Sequence, residues 1–162
     1  MSAKPRDYPL ADADATLAQL RAALGSTVTR FEPVGSVRRR LPFVGDLDVL
    51  VEVKYPIALN IARILRILKQ HGKFVRGADR MMVFDRLFGC PVRTDVFLVH
   101  PPTSWFALLA LRTGPAEDTQ KLTAGLEAHG LKRPHAELRV ADERRLYDMA
   151  GVAWRRPEER DA

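Results

Sequence analysis

Two stretches of the chain carry apolar residues at the spacing of an amphipathic helix. Leucines recur every three or four positions in residues 17–24, after the N-cap candidates Asp12 and Asp14 and before the C-cap candidate Gly25. Residues 57–71, with the sequence IALNIARILRILKQH, show the clearer pattern, an apolar stripe opposite a basic side. Both patterns predict helices that bury one face against a core.

Patterns typical of β-strands lie between these two helices and after the second. β-branched and apolar residues predict strands over residues 27–34, 46–53, 81–88 and 92–99, with a short strand at 74–75. Because these strands alternate with helices, we expect a mixed sheet with helices on one face.

The pattern changes at the pair Pro101-Pro102, where we place a boundary. Beyond it, the spacing predicts helices over residues 104–112, 116–129 and 142–150, with an irregular or β segment near 137–140. The predicted fold class is therefore α+β, a mixed sheet followed by a small, mainly helical part.

Composition narrows the class of protein. The 162 residues are 46% hydrophobic and 28% charged, an ordinary globular mixture that argues against disorder or a fibrous repeat. The single cysteine, Cys90, excludes a disulfide within the chain and a multi-cysteine zinc site. The first residues lack the apolar core of a signal peptide, and the longest apolar run, residues 105–111, is far below the roughly 20 residues that span a membrane. We expect a soluble, intracellular, monomeric protein of the cytoplasm or nucleoid with no membrane partner.

The basic excess is confined to the first part of the chain. Lys and Arg number 26 against 20 Asp and Glu, a formal net charge of +6. Residues 1–103 hold 16 Lys or Arg and 10 Asp or Glu, whereas residues 104–162 hold 10 of each kind. The densest point is Arg38-Arg39-Arg40. This localised excess favours a partner that carries phosphate groups.

The sequence Gly45-Asp46-Leu47-Asp48 is the most informative chemical feature. On a strand, Asp46 and Asp48 point to the same side while Leu47 faces the core. Two neighbouring carboxylates on a buried strand repel each other, and a divalent cation removes that cost. Oxygen ligands of this kind suit Mg²⁺ or Mn²⁺.

A third carboxylate, Asp95, lies within another apolar, β-branched segment, residues 92–99. If the two strands are neighbours, three carboxylates converge as two-metal phosphoryl transfer requires. The alternative is that each aspartate merely ends a strand or forms a surface ion pair.

A turn that suits phosphate binding precedes the aspartates. Gly35 permits a close backbone approach, Ser36 offers a hydroxyl donor, and Arg39 carries a guanidinium that suits a phosphate. A Gly-Ser pair before basic residues is by itself more often a simple turn. Its interest here is its position ten residues before the aspartate pair.

Taken together, these motifs resemble the nucleotidyltransferase superfamily and, more narrowly, DNA polymerase family X. Its C-terminal features are also similar. The resemblance implies a palm over residues 1–102 and a thumb over residues 103–162, with no lyase or helix-hairpin-helix domain. The matching segments are Gly35-Ser-Val-Arg-Arg39, Gly45-Asp-Leu-Asp-Val-Leu-Val51, Val92-Arg-Thr-Asp-Val96, Phe106 to Gly114, Glu127 to Leu131 and Leu146 to Glu158.

The resemblance implies a metal centre with two Mg²⁺ ions, for which Mn²⁺ would substitute. Asp46 and Asp48 would be ligands of both ions. Asp95 would be a ligand of the catalytic ion and the acceptor of the proton from the attacking hydroxyl.

The resemblance also implies a site for a nucleoside triphosphate. Ser36 and Arg39 would hold the triphosphate, and Arg93 would pair with the carboxylates beside the metal ions. The backbone of Thr113-Gly114 would line the sugar pocket. The expected nucleotide-binding residues are Gly35, Ser36, Arg39, Gly45, Arg93, Leu111, Arg112, Thr113 and Gly114.

The chain departs from the family where the base and sugar would lie. Leu111-Arg112 replaces an aromatic pair, Thr119 stands nearest the usual base-reading asparagine, and Thr123 replaces an arginine. Ribose exclusion and fidelity therefore stay open. For Arg112 the alternatives are a contact with the phosphate or base, or a solvated cation at a helix end.

The expected function is that of a repair-type DNA polymerase, which adds a nucleotide to a primer 3′-hydroxyl in gapped DNA and releases pyrophosphate. Lys121, Lys132 and Arg133 are candidate contacts with the DNA backbone. The alternatives are a nucleotidyltransferase that acts on an RNA end, a small molecule or a protein, and a DNA-binding module without catalysis.

Overall fold

The computed structural model of the protein describes residues 7–161. Short 3₁₀ turns connect several of its elements, at Gly25–Thr27, Leu87–Gly89, His135–Glu137 and Pro157–Glu159. The strands are β1 (Tyr8–Pro9), β2 (Val28–Val34), β3 (Phe43–Val44), β4 (Leu47–Val53), β5 (Lys73–Gly77), β6 (Met81–Asp85) and β7 (Thr94–Val99). The helices are α1 (Leu10–Leu24), α2 (Gly35–Arg38), α3 (Ile57–Lys69), α4 (Trp105–Thr113), α5 (Ala116–Ala128) and α6 (Glu143–Ala150).

Five strands form one mixed sheet in the order β2-β4-β7-β6-β5. Strands β4 and β7 are parallel, and every other neighbouring pair in this sheet is antiparallel. The long connection between β4 and β7 carries α3, β5 and β6. The arrangement confirms the predicted α+β class and places β4 and β7 side by side in the middle of the sheet.

Helices α1 and α3 cover one face of the sheet, as predicted. Leu20 of α1 and Ile64 and Leu68 of α3 are fully buried against sheet residues such as Val49 and Val96. Each fully buried aliphatic side chain contributes about 1.5–3 kcal/mol relative to an exposed one. This apolar layer fixes which face of β4 and β7 packs against α1 and α3. The opposite face of the two strands is left for residues outside this layer.

The opposite face of the sheet receives the first helix of the C-terminal part. Leu109 of α4 is buried with Leu50 and Phe97, and Trp105 packs against the same cluster. Helices α4, α5 and α6 also share a separate apolar cluster, in which Leu122 is fully buried. The division of the chain at residues 102 and 103 stays a prediction.

Two local predictions differ from the structure, and a third left two forms open. Helix α1 begins after an extended Pro9, so Asp12 lies in its first turn rather than at the N-cap. The predicted strand over residues 81–88 ends at Asp85, because Arg86 and Phe88 have positive φ angles that a strand does not accommodate. The segment near residues 137–140 takes the irregular form of the two that the pattern allowed, since the 3₁₀ turn that ends at Glu137 is followed by irregular chain.

A two-stranded sheet of β1 and β3 was not predicted from the pattern. Its strands have two residues each, too few for a periodicity to be recognised. It ties the start of the chain to the segment immediately before Gly45. Within residues 7–161, no helix has the length and apolarity that crossing a membrane requires.

Candidate active site

Two aspartates lie directly opposite each other on the central strands. The parallel register of β4 and β7 pairs Asp48 with Asp95. Because side chains alternate along a strand, Asp48 shares a face with Leu50, and Asp95 shares that face with Phe97. This is the face that α4 partly covers, so the predicted convergence of these two carboxylates is confirmed. Asp46 lies in the bend before β4, which begins at Leu47 rather than at the predicted residue 46.

The end of β2 brings the predicted phosphate turn beside Asp48. The antiparallel register pairs Val34 with Asp48, so Gly35 follows immediately next to that carboxylate. Gly35 has a φ of +58°, and a Cβ placed on it would lie 2.5 Å from Oδ2 of Asp48. Glycine is therefore required both by the backbone conformation and by the close approach of the carboxylate.

A cavity of about 650 Å³ opens over these residues. It brings together the carboxylates, the Gly35-Ser36 turn, the C-terminal end of α4 and the first turns of α5. Eight of the nine predicted nucleotide-binding residues line it, Arg93 being the exception. Its lining consists of Gly35, Ser36, Arg39, Gly45, Asp46, Asp48, Asp95, Phe97, Leu111, Arg112, Thr113, Gly114, Pro115, Ala116, Thr119 and Gln120.

Arg93 and the three predicted DNA contacts lie outside this lining. Arg93 forms an ion pair with Asp85, with 3.4 Å between Nε and Oδ1. Arg133 pairs with Glu127 at 2.6 Å, and this contact lowers the pKa of the Glu127 carboxyl. Lys121 and Lys132 are exposed. Contact of Lys121, Lys132 and Arg133 with DNA stays a prediction.

Ser36 has the properties expected of a residue that binds a ligand. The residue is more than nine-tenths buried, and its Oγ has no hydrogen-bond partner among the described residues. A buried hydroxyl without a partner is costly, because the protein does not replace the hydrogen bonds that water would make. An anion in the cavity would supply the missing acceptor.

The two arginines after Ser36 both turn toward the C-terminal part of the chain. Arg38 donates to Oγ1 of Thr113 at 2.6 Å and makes a two-point contact with Glu143, at 2.8 and 2.5 Å. Burial alone would lower the pKa of Arg38, but the bonded Glu143 carboxylate more than offsets it, and the pKa is raised. The contacts of Arg38 with Thr113 and Glu143 hold α2 against α4 and α6.

Arg39 is buried and makes two short contacts at the rim of the cavity. Its Nε donates to Oδ2 of Asp161 at 2.5 Å, and its Nη1 donates to the carbonyl oxygen of Thr113 at 2.5 Å. Gly114 is packed so closely that a Cβ there would lie 3.0 Å from the same Nη1. The predicted Thr-Gly segment therefore positions Arg39 through backbone atoms.

Several cavity residues were not predicted from the sequence. Phe97 follows Asp95 by two positions on the same strand. The alternation of side chains along a strand is the one sequence signal that places it on the same face as Asp95. The guanidinium of Arg112 lies 4.4 Å from the centre of the Phe97 ring, a cation–π contact that joins α4 to β7. Gln120 enters the lining from α5, and no local sequence signal marked it.

The oxygen donors suit a hard divalent cation, although the arrangement is not a closed metal centre. Among residues 7–161, no group of three or more His, Cys, Asp or Glu side chains is arranged to hold a metal ion. Mg²⁺ is commonly bound by one or two carboxylates, with substrate phosphates and waters as the other ligands. Asp48 and Asp95 lie on adjacent strands, beside the Ser36 hydroxyl that lacks a hydrogen-bond partner in the described part of the chain. They fit a Mg²⁺ ion that is bound partly by the protein and partly by a substrate phosphate.

Comparison with solved structures finds the same fold in a polymerase. The chain resembles the crystal structure of Leishmania infantum polymerase beta in a ternary P/T complex, with a TM-score of 0.75 over 98% of this chain and 78% of that chain. The sequence identity is 16%, so the likeness establishes a polymerase beta-like fold and nothing finer. No family model and no curated protein sequence matches the chain.

Proposed function

We propose that the protein is a nucleotidyltransferase that extends a primer 3′-hydroxyl in gapped DNA, with a nucleoside triphosphate as donor. The observation that carries the proposal is the pairing of Asp48 with Asp95 in one cavity with Gly35 and Ser36. Acidic groups and a phosphate-binding turn in one cavity suit phosphoryl transfer better than an isolated carboxylate pair would. The polymerase beta-like fold is consistent with this assignment.

In the proposed reaction, the 3′-oxygen of the primer attacks the α-phosphorus of the triphosphate. The bond from the α-phosphorus to the bridging oxygen breaks, and pyrophosphate leaves. Asp95 accepts the proton of the attacking hydroxyl. Asp48 and Asp95, with Asp46 in the lining of the same cavity, would hold Mg²⁺ together with the phosphates of the nucleotide, and the bound Mg²⁺ would neutralise the charge that develops on the phosphate oxygens.

The remaining residues of the cavity bind and orient the nucleotide. The Oγ of Ser36 donates to a phosphate oxygen and gains the partner that it lacks in the described structure. Gly35 leaves room for the triphosphate beside the carboxylates, since it has no side chain. Arg39 provides a cation for the phosphates, and Thr113-Gly114 presents backbone to the sugar. Arg112, held over Phe97, closes the side of the cavity.

The proposed acceptor is DNA. Two observations support it over a small molecule: the basic excess in residues 1–103 and the ternary P/T complex in which the structural neighbour was crystallised. Lys121, Lys132 and Arg133 remain candidate contacts with the phosphate backbone. Such contacts would weaken DNA binding steeply as the salt concentration is raised.

Extension of a primer across a one-nucleotide gap tests the proposed function. We expect addition of one nucleotide in Mg²⁺, with one pyrophosphate released for each addition. Offering each deoxynucleotide and ribonucleotide in turn measures sugar choice and template dependence in the same assay. Addition to an RNA 3′-end without a template, with no addition to gapped DNA, would contradict the DNA assignment and keep the transferase chemistry.

A further inference from the structure

The last described residue of the chain contacts the arginine that we assign to the triphosphate. Oδ2 of Asp161 lies 2.5 Å from Nε of Arg39, and the Arg39 side chain is only 5% exposed. Arg39 also lines the cavity that holds Asp48 and Asp95. A carboxylate from the C-terminal tail is therefore bound where an anionic ligand would be expected.

The residue before Asp161 anchors this tail. Arg160 is completely buried, and its guanidinium lies 3.8 Å from Asp118 and 3.8 Å from Glu143. It also lies over the ring of Tyr147 at 5.1 Å, and its Nε donates to the carbonyl oxygen of Arg155. Because Arg160 is held by α5 and α6, the neighbouring Asp161 lies beside Arg39, and only the Asp161 side chain has to turn away to release that arginine.

The contact restricts how Arg39 can bind phosphate. A guanidinium grips two oxygens of one phosphate along an edge formed by two of its nitrogens. The Nε of Arg39 donates to Asp161 on one edge of the guanidinium, and its Nη1 donates to the Thr113 carbonyl oxygen on the other edge. The negative charge of Asp161 also lowers the attraction between Arg39 and a phosphate. A triphosphate that grips Arg39 along its Nε edge must displace Asp161.

We infer that Asp161 occupies the phosphate-binding edge of Arg39 and sets the affinity of the cavity for the triphosphate. The inference rests on the proposed function, because it takes Arg39 as a phosphate ligand. Nucleotide binding would release the tail carboxylate from Arg39 while Arg160 stays in place. The C-terminal tail then acts as a competitor that lowers nucleotide affinity without contributing to the chemistry of transfer.

The substitution Asp161→Asn separates the charge of this contact from its shape. Asparagine keeps an oxygen that accepts from Nε of Arg39 but removes the competing charge. We expect the variant to bind Mg²⁺-tripolyphosphate and Mg²⁺-dNTP about tenfold more tightly, the difference between a charge-assisted hydrogen bond and one to a neutral oxygen. Glu158→Gln is the matched control, an exposed carboxylate of the same tail, and its affinity should equal that of the wild type.

Equilibrium binding to the full chain, with thermal unfolding measured alongside, distinguishes the outcomes. Equal or weaker binding by Asp161→Asn, or no binding by either protein, overturns the inference. If Asp161→Asn does not fold, Asp161→Ser is measured, and failure of both to fold makes Asp161 a structural residue and also overturns it. Tighter tripolyphosphate binding without primer extension supports the inference while contradicting the proposed function. Primer extension with unchanged affinity contradicts the inference and supports the function.

Discussion

Acidic side chains are used differently in the sheet and in the C-terminal helices. In the C-terminal part, Glu143 makes a two-point contact with Arg38, and Asp118 receives a hydrogen bond from Tyr147 and an ion pair from Arg155. In the sheet, Asp48 and Asp95 lie opposite each other on parallel strands and border an open cavity.

The difference shows what separates a structural carboxylate from a candidate catalytic one. Buried charge costs several kcal/mol unless it is paired, and the C-terminal part supplies an arginine close to each buried carboxylate. In the sheet, the register places two carboxylates opposite each other at the edge of a cavity, where a divalent cation shared with a substrate phosphate could bind. Substitutions of the sheet aspartates should therefore lower activity with little change in stability. Substitutions of the buried carboxylates in the C-terminal part should instead lower stability.

The largest expected effect is on catalysis, from Asp48→Asn and Asp95→Asn. Each should slow primer extension about a thousandfold or more, because a ligand for the ions and a proton acceptor are lost. Single-turnover extension measures the rate, and thermal unfolding should show a midpoint within a few degrees of the wild type.

Glu52→Gln is the control for the Asp48→Asn and Asp95→Asn variants. Glu52 lies on β4 and on the same face as Asp48, but at the end remote from the cavity, where it pairs with Arg30. Its variant should extend primers at the wild-type rate. A rate unchanged in Asp95→Asn, or an equal loss in Glu52→Gln, would remove the distinction between the two regions.

The next effect is on stability, from Glu143→Gln. Removal of its charge leaves Arg38 and Arg160 buried with less compensation, so we expect a loss of about 3 kcal/mol in the free energy of unfolding. Urea unfolding measures it. Glu127→Gln, which changes an exposed pair with Arg133, should leave the urea midpoint unchanged. Equal midpoints for all three proteins would show that the C-terminal ion pairs do not stabilise the fold.

Gly35→Ala tests whether the position of the Asp48 carboxylate depends on the absence of a side chain at residue 35. Both Gly35→Ala and Gly25→Ala force a positive φ on alanine, which should cost about 1–3 kcal/mol each. Nothing lies within 4 Å of a Cβ at Gly25, whereas one at Gly35 would meet Asp48. Only Gly35→Ala should therefore lose primer extension as well as stability. Comparable activity in the two variants would argue against a fixed position for the Asp48 carboxylate.

The smallest effect is a change in the pH dependence of stability, from Tyr147→Phe. Burial, together with the hydrogen bond to Asp118, raises the pKa of Tyr147 above its usual value. In the unfolded chain the phenol ionises near pH 10. Its contribution, about 1.5 kcal/mol from a hydrogen bond to a charged group, is present below that pH and is lost as the pH rises toward the folded pKa.

The stability of the wild type and of Tyr147→Phe should therefore converge above pH 10. Urea unfolding at pH 8 and at pH 10.5 measures the gap between the two proteins. A gap that stays constant or widens would contradict burial of a protonated Tyr147.

The sequence predicts the elements and the side of the strand on which the aspartates lie, because both depend on local periodicity. Alternation along residues 46–53 and 92–99 placed the carboxylates away from the core, but whether the two strands are neighbours was left open. The register that sets Asp48 opposite Asp95 could be tested only by the structure, since pairing is decided by contacts between segments far apart in the chain.

The arginines show why the rest of the site could not be predicted. Arg38, Arg39 and Arg40 are adjacent in the sequence, yet they pair with Glu143, Asp161 and Asp14 respectively. Nothing in a run of three identical residues distinguishes these partners, which lie 26 to 122 positions away. Long-range packing decides which arginine faces the cavity and which face the surrounding structure.

The central claim is that Asp48 and Asp95 hold divalent ions together with the phosphates of a nucleotide. Diffraction from crystals grown with Mn²⁺ and a non-hydrolysable deoxynucleoside triphosphate tests it directly, since Mn²⁺ gives an anomalous signal. The account predicts anomalous peaks within about 2.0–2.3 Å of carboxylate oxygens of both aspartates and of phosphate oxygens. A nucleotide bound elsewhere, or bound in the cavity with no peak beside Asp48 and Asp95, would contradict it.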